Sequence, residues 1–458
     1  MNSAPNILLI TDDQHRWDFY DNRTVPDLSV PAIRRLSAEG ATLVNAASSC
    51  PICMPTRFSW LYGLYASQAA HQLMHNSHDW PTHLPSMAHS LQNRGYRTVL
   101  TGKLHSVAGL FNMDLADIED VTRQRGFDDV VEVSGKSLSY WYDCAYTDHL
   151  RGKGLLEKYR ADVKTRCSQL GGREHFSPSP LSPEDHMDGF IGARALERLR
   201  ECARHKPFFM HASFCGPHFP LDPPEPYFSR YRPEDMPPPE GVDDAAEIKR
   251  FREERALYCG LIHFVDEQIG ALLDELDNLG IAENTLVVFT TDHGDMMGHH
   301  SLTGKGRWYD TSCRTPVIAR FPGVIPSGTV LDSPAESVDL PCTLLDAAGC
   351  AGEDVAISDL LPNSPGLSYW KYLQGDTNGH REWSYSEHVQ PDWRMCRDRT
   401  WKYVFRPEDE DLLYNLEDDP WESNNLVCHD GCREKLVEMK DRLLQSMSRC
   451  VAPNTKML

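Results

Sequence analysis

Four separate apolar runs of this chain each end in acids, histidines or a lysine, and that recurrence limits the fold more than any other feature. Residues 6–11, NILLIT, lead into Asp12, Asp13 and Gln14; RTVLTGK ends at Lys103 with His105 just beyond; PFFMHASFCGPH (207–218) ends at His218; TLVVFTTDHGD (285–295) carries Asp292 and His293. A short continuous apolar run with polar residues at its C-terminal end is the pattern of a strand buried on both faces. Helix-spaced segments alternate with these runs: VPAIRRLSAEG (30–40) stopping at Gly40, LPSMAHSLQNRGY (84–96) closing at Gly95, and long amphipathic stretches over 184–202 and 246–280. This alternation predicts an α/β domain with a mostly parallel sheet, in which ligands gather beyond the carboxyl ends of the strands. The four polar strand ends should therefore meet at one sheet edge.

At 458 residues the chain has room for a large domain and a smaller one. We place the first over 1–375 and the second over 376–458, with the Gly-, Pro-, Asn- and Ser-rich stretch 351–380 as the passage between them. Beyond it, REWSYSEH, TWKYVFRP and DLLYNL alternate as three strands of an antiparallel sheet, and residues 432–450 read as a helix. Residues 125–172 and 219–245, rich in Pro, Asp, Glu and Tyr, read as surface insertions walling the cleft. The aromatics of SYWYDCAYTDH (139–149) suit stacking on a ring, a cation–π contact, or simple packing.

The formal net charge of −21 argues against nucleic acid or an anionic membrane surface as partner. An anionic substrate would have to be small and met by a local cluster of cations. No stretch has the apolar length of a membrane span, and the opening MNSAPNILLITDDQ lacks a basic region, so a cytoplasmic location is expected. Fourteen irregularly spaced cysteines then read as mostly reduced thiols.

The reactive candidate is Cys53, in Cys53-Met54-Pro55-Thr56-Arg57. A cysteine opening a helix lies at the positive end of the dipole, and Arg57 one turn on adds a cation, which together suit an anion or an activated thiol. The plainer reading is a buried cysteine before a proline-started helix. Asp13 and Asp292, with Gln14 and His293 adjacent, make an oxygen-rich ligand set for Ca²⁺ or Mg²⁺, the imidazole admitting Mn²⁺ or Zn²⁺; Asp12 stands as an alternative to Gln14. Lys103 and His105, alternating at a strand end, should share one face. His218 in GPHFP suits a general acid, and Lys305 between glycines can approach a ligand closely. Each of these, alone, is more often a cap, a turn residue or a solvated side chain.

Taken together they resemble a known family. Cys53-Met54-Pro55-Thr56-Arg57 is similar to the Cys-x-Pro-Ser/Thr-Arg signature of sulfatases in the alkaline phosphatase superfamily. Asp13-Gln14, Gly102-Lys103-Leu104-His105, Pro217-His218, Asp292-His293-Gly294-Asp295, Lys305 and the closing Asp411-Leu412-Leu413-Tyr414-Asn415-Leu416 follow in the family's order. The resemblance implies an α/β/α sandwich with a small C-terminal α+β domain. It also implies a formylglycine made from Cys53 by a formylglycine-generating enzyme, acting before or during folding, and one divalent metal, Ca²⁺ first, on Asp13, Gln14, Asp292, His293 and the modified Cys53. By position, Arg57, Lys103 and Lys305 would hold the sulfate of a small sulfate ester. His218, with Lys305, would protonate the departing alcohol, and His105 would take the proton that lets the hemiacetal expel sulfate. Asn76 and the following residues are similar to the choline-sulfatase branch. The rivals are a phosphodiesterase or phosphonate monoester hydrolase on the same scaffold, a thiol redox protein using Cys50 and Cys53, and an inactive binding protein.

Overall fold

The computed structural model describes residues 4–20, 23–69, 79–107, 115–167, 175–205, 207–352 and 355–450; Asn76 lies outside them. The strands are β1 (Asn6–Asp13), β2 (Ala41–Leu43), β3 (Ala46–Ala47), β4 (Arg97–Gly102), β5 (Asp129–Glu132), β6 (Phe208–Pro217), β7 (Thr285–Thr291), β8 (Val317–Arg320), β9 (Thr329–Leu331), β10 (Ala335–Glu336), β11 (Ser384–Val389), β12 (Asp392–Arg397), β13 (Trp401–Phe405) and β14 (Leu412–Asn415). Eight form one sheet in the order β5-β4-β6-β1-β7-β8-β2-β9. The run from β5 to β7 is parallel throughout, whereas β8 runs against both neighbours.

The period of two along each strand divides the core. Leu8 and Ile10 of β1, with Val287 and Phe289 of β7, enter the cluster beneath the helices Pro31–Glu39, Met187–Cys202 and Ala245–Asn278. Ile7 and Leu9, with Leu286 and Val288, face the other way, toward the helices Cys53–Tyr62, Met87–Asn93 and Asp339–Ala347. Strands apolar on both faces between two helical layers are the α/β/α sandwich the alternation predicts. Capping also ties helices of one layer together. Asp244 accepts from the N–H groups of Ala246 and Glu247 to start the long helix, and its buried Asp266 accepts from those of Ala32 and Ile33.

Three local expectations are corrected. Residues 125–172 are not only surface insertion: they begin with the edge strand β5, and Tyr146, Tyr159 and Val163 enter the main core, because aromatic residues in a polar segment can pack inward as well as line a cleft. Residues 168–172 lie outside the described ones. The C-terminal sheet has four strands, not three, in the order β11-β12-β13-β14. The missed strand, Asp392–Arg397, carries Asp392, Arg394 and Arg397, which mask its apolar Trp393, Met395 and Cys396. Lys103 and His105 do not share a face by strand alternation, because β4 ends at Gly102 and both lie beyond it.

One face of the C-terminal sheet packs on the helix Arg433–Arg449 through Tyr385, Cys396, Tyr403, Met439 and Leu443. The other packs Trp393, Met395, Val404 and Tyr414 on Trp308 and Cys313, which lie between β7 and β8. Beside that second face, buried Asp310 accepts from Arg397 and Lys402. None of the fourteen cysteines is in a disulfide, and among the described residues no helix is long and apolar enough to cross a membrane.

Candidate active site

Because β4, β6, β1 and β7 are adjacent and parallel, their carboxyl ends line up, and the four polar strand ends do meet. Each leaves the sheet by a sharp turn. Gly102 has φ of 105°, and a Cβ there would lie 1.9 Å from the Ser213 carbonyl oxygen, so only glycine lets β4 turn against β6 and deliver Lys103. Gln14 and His105 hold positive φ of 70° and 59°. Strain of this kind is characteristic of functional sites. The helix Cys53–Tyr62 brings its first residue to the same point, with no side chain capping its N-terminus.

Cys53 is buried at the centre. The Lys305 ammonium donates to its Sγ at 2.8 Å, His293 Nε2 lies at 3.3 Å, and Asp13 Oδ1 at 3.8 Å. Lys305 also donates to Gln14 Oε1 and to His218 Nε2, both at 3.0 Å. Lys103 donates to Asp13 Oδ2 at 2.6 Å. Asp292 accepts from the backbone N–H groups of Gln14 and His293 through Oδ1, and from Arg57 Nε through Oδ2 at 2.9 Å. Asp12 is turned away, its carboxylate 2.6 Å from His15 Nδ1. Of the two alternatives at this strand end, Gln14 Oε1 shares the Lys305 ammonium with Cys53, whereas the Asp12 carboxylate faces His15.

Arg57, expected to hold an anion, is bonded to protein acceptors on most of its guanidinium. Of its five N–H groups, four are taken by Asp292, Asp13, the Lys103 carbonyl and Ser213 Oγ. Helix spacing places a cation one turn from Cys53, and two facing carboxylates then claim it.

The charges around position 53 favour an anion there. Burial alone would push the Cys53 thiol up, but Lys103, Lys305 and His293 outweigh it and hold the thiol well below its ordinary value. Cys50 lies in an opposite environment: burial, with Glu387 and Cys313, pushes its thiol far up. The C-x-x-C unit thus holds one activated and one inert thiol. Burial and the adjacent Lys305 push His218 down to about 4, and burial with Lys103 lowers His105, so both imidazoles are neutral near pH 7.

Beneath His105, Glu132 ends β5 and accepts from the His105 N–H and from Thr122 Oγ1. Burial pushes its carboxyl up to about 7, from an ordinary 4.5. The folded state therefore keeps this proton across a window in which the unfolded chain releases it. Stability should fall as pH rises through that window, by about 3 kcal/mol in all. Urea unfolding of the wild type against Glu132→Gln across this range checks it: the variant should lack this part of the slope.

Ser213 and Asp188 escape sequence reading, and so does the role of Asp295, though not its place at a strand end. Ser213, a hydroxyl inside the apolar run of β6, accepts from Arg57 and donates to the Lys103 carbonyl. Asp295 accepts from the Gln14 amide and from the N–H groups of Met297 and Gly304. Asp188 accepts from the N–H groups of Cys215 and Gly216, just before His218. Ser213 carries a local signal as a polar residue in a buried strand, and Asp295 one as an acid closing the apolar run 285–295.

Asp13, Cys53, Asp292 and His293 each offer a buried ligand atom within 4.8 Å of the others. His293 Nδ1 faces the Gly294 carbonyl at 2.9 Å, so a neutral ring donates there and turns the lone pair of Nε2 toward the cluster. Two carboxylates, an imidazole and the nearby Gln14 amide oxygen form a donor set that fits a divalent ion.

Comparison with known proteins agrees with this geometry. The sulfatase family model matches residues 5–350, and the model for the C-terminal part of N-sulphoglucosamine sulphohydrolase matches residues 298–449. An arylsulfatase of Clostridium perfringens is 28% identical, the match covering 97% of this chain and 94% of the relative. A choline-sulfatase of Rhizobium meliloti is 25% identical over 92% of this chain and 82% of its own. In fold, the chain is similar to a phosphonate monoester hydrolase of Silicibacter pomeroyi, with a TM-score of 0.80 and 22% identity, covering 99% of this chain and 97% of that one. The chain belongs to the sulfatase family, the sulfuric ester hydrolases of the alkaline phosphatase superfamily.

Proposed function

We propose that the chain hydrolyses a sulfate monoester of a small organic molecule or sugar to the alcohol and inorganic sulfate, after a formylglycine-generating enzyme has oxidised Cys53. The observation that carries this reading is the position of residue 53, buried between a carboxylate pair and the Lys305 ammonium at 2.8 Å. Asp13, Gln14, Asp292 and His293, with residue 53, would hold one divalent ion, with calcium the first choice for an oxygen-dominated set. In the loaded enzyme the formylglycine hydrate supplies the nucleophile and the ion supplies Lewis-acid polarisation.

The chain's own side chains do the rest. Lys103 and Lys305 hold the sulfate oxygens and offset charge that grows in the transition state. A neutral His218 donating from Nδ1 to the Phe219 carbonyl, 2.6 Å away, would present the lone pair of Nε2 to Lys305. The proton for the leaving oxygen then resides on Lys305, and His218 shares and replaces it. His105, neutral and with its buried Nδ1 unpaired, takes the proton that releases sulfate from position 53.

The phosphonate hydrolase reading has the fold likeness in its favour, but the two cationic or basic side chains at 103 and 105 favour the sulfate ester. Parallel assays of an aryl sulfate and an aryl phosphonate monoester, on protein whose formylglycine content is verified by mass, separate the two. The sulfate ester should give the higher kcat/KM, and the reverse order would overturn the proposal.

A further inference from the structure

The geometry points to His388 and Trp393, a cross-strand pair of the C-terminal sheet, as positioning residues for Lys305. The inference rests on the sulfate-ester reading of the site for its kinetic test. Lys305 lies between Gly304 and Gly306, with φ of 78° and 77°, so its own segment has little intrinsic stiffness. Its ammonium nevertheless meets Cys53, Gln14 and His218 at 2.8 to 3.0 Å. Something outside the segment must fix it.

Four hydrogen bonds hold the two glycines. The Gly304 N–H donates to Asp295 Oδ1 at 3.1 Å, and the Gly304 carbonyl accepts from the Met296 N–H at 2.7 Å. The Gly306 N–H donates to the Pro51 carbonyl at 3.1 Å, and the Gly306 carbonyl accepts from Trp393 Nε1 at 3.1 Å. The last of these alone comes from the C-terminal sheet. His388 completes the seat: a Cβ on Gly306 would come within 3.1 Å of His388 Nε2 and 3.3 Å of Ile52 Cδ1.

The seat is rigid for reasons visible in the sheet. His388 on β11 is the register partner of Trp393 on β12, and their rings stack with planes 19° apart. Trp393 is fully buried, with Trp308 set edge-on to it and Met395, Val404 and Leu412 in the same cluster, so its N–H cannot swing away from Gly306. Farther along the same segment, Asp310 is pinned by Arg397 and Lys402 of β12 and β13. The C-terminal sheet thereby sets where the Lys305 ammonium sits relative to position 53.

Trp393→Phe keeps the ring and removes the donor. It is assayed as full-length protein of verified formylglycine content on aryl sulfates whose phenols differ in acidity. We expect kcat to fall about ten- to a hundredfold with a smaller change in KM, since small misplacements of a catalytic group cost rates of that order. The loss should grow as the phenol becomes less acidic, and should vanish in a Lys305→Ala background. Leu443→Ala, which thins the cluster on the opposite face of the sheet without touching Trp393 or the glycines, should lower the unfolding midpoint and leave kcat and its leaving-group dependence as in the wild type. Should Trp393→Phe not fold, Gly306→Ala presses on His388 from the other side and should give the same kinetic signature. Wild-type activity in the folded variant, an undiminished loss in the Lys305→Ala background, or the same defect from Leu443→Ala would each overturn the inference. If the wild type turns over none of the esters, the reaction assignment fails separately. Crystal structures then decide the inference: Lys305 displaced from residue 53 in Trp393→Phe supports it, and Lys305 unmoved rejects it.

Discussion

Cys53→Ser, made in a host that modifies only cysteine, is expected to lose at least about a thousandfold in kcat, the scale seen when a covalent nucleophile is removed. The argument is steric as well as chemical. Serine fills nearly the space of cysteine, so Lys305 and His293 keep their places around residue 53 and folding should be undisturbed. On the proposed reading, what is lost is the aldehyde, whose hydrate would supply two hydroxyls on one carbon where serine has one. A serine hydroxyl that attacked sulfur would be left as a sulfate ester that water must cleave. The variant should therefore become sulfated at position 53 rather than turn over. Peptide mass across residues 50–57 reads both outcomes, showing an aldehyde in the wild type and a stable sulfate adduct in the variant after incubation with an aryl sulfate. Full turnover by protein whose residue 53 remains an unmodified thiol would sink the mechanism.

The meeting of Asp13, Lys103, His218 and Asp292 was legible in the chain because parallel strands share one carboxyl edge. A polar residue ending an apolar run is then placed in space by its neighbours' order. The pairing of Asp13 with Lys103, or of Asp292 with Arg57, was not legible, because it depends on β1 lying between β6 and β7, and local pattern says nothing of strand order. The reversed direction of β8 was hidden for the same reason. Turns posed a different difficulty. Lys103 and His105 look like strand positions until the close approach of Gly102 to the Ser213 carbonyl ends β4 one residue earlier. The C-terminal sheet's hold on Gly306 involves residues 82 to 87 positions apart, beyond the reach of any local pattern.

Arg57 shows most plainly what such distant pairing changes, and Arg57→Met should be the most destabilising substitution in the site. The guanidinium bridges Asp13 and Asp292, all three side chains being fully buried. Removing it leaves Asp292 with two backbone N–H donors and the His293 ring at 3.5 Å, and leaves Asp13 to Lys103. Breaking a buried ion pair by deleting one partner costs about 3–5 kcal/mol. Arg57→Lys should recover little, because a point ammonium cannot span two carboxylates, a carbonyl and a hydroxyl at once. Urea unfolding in the presence of a chelator measures the loss without the ion's contribution. The comparison also decides between two roles for the residue. A cation that holds the substrate would, when removed, weaken binding of inorganic sulfate and leave stability near the wild-type value. A cation that holds the two carboxylates would lower stability and kcat together. Four of the five N–H groups of Arg57 already have protein acceptors, which favours the second outcome; the sulfate oxygens are then left to Lys103 and Lys305.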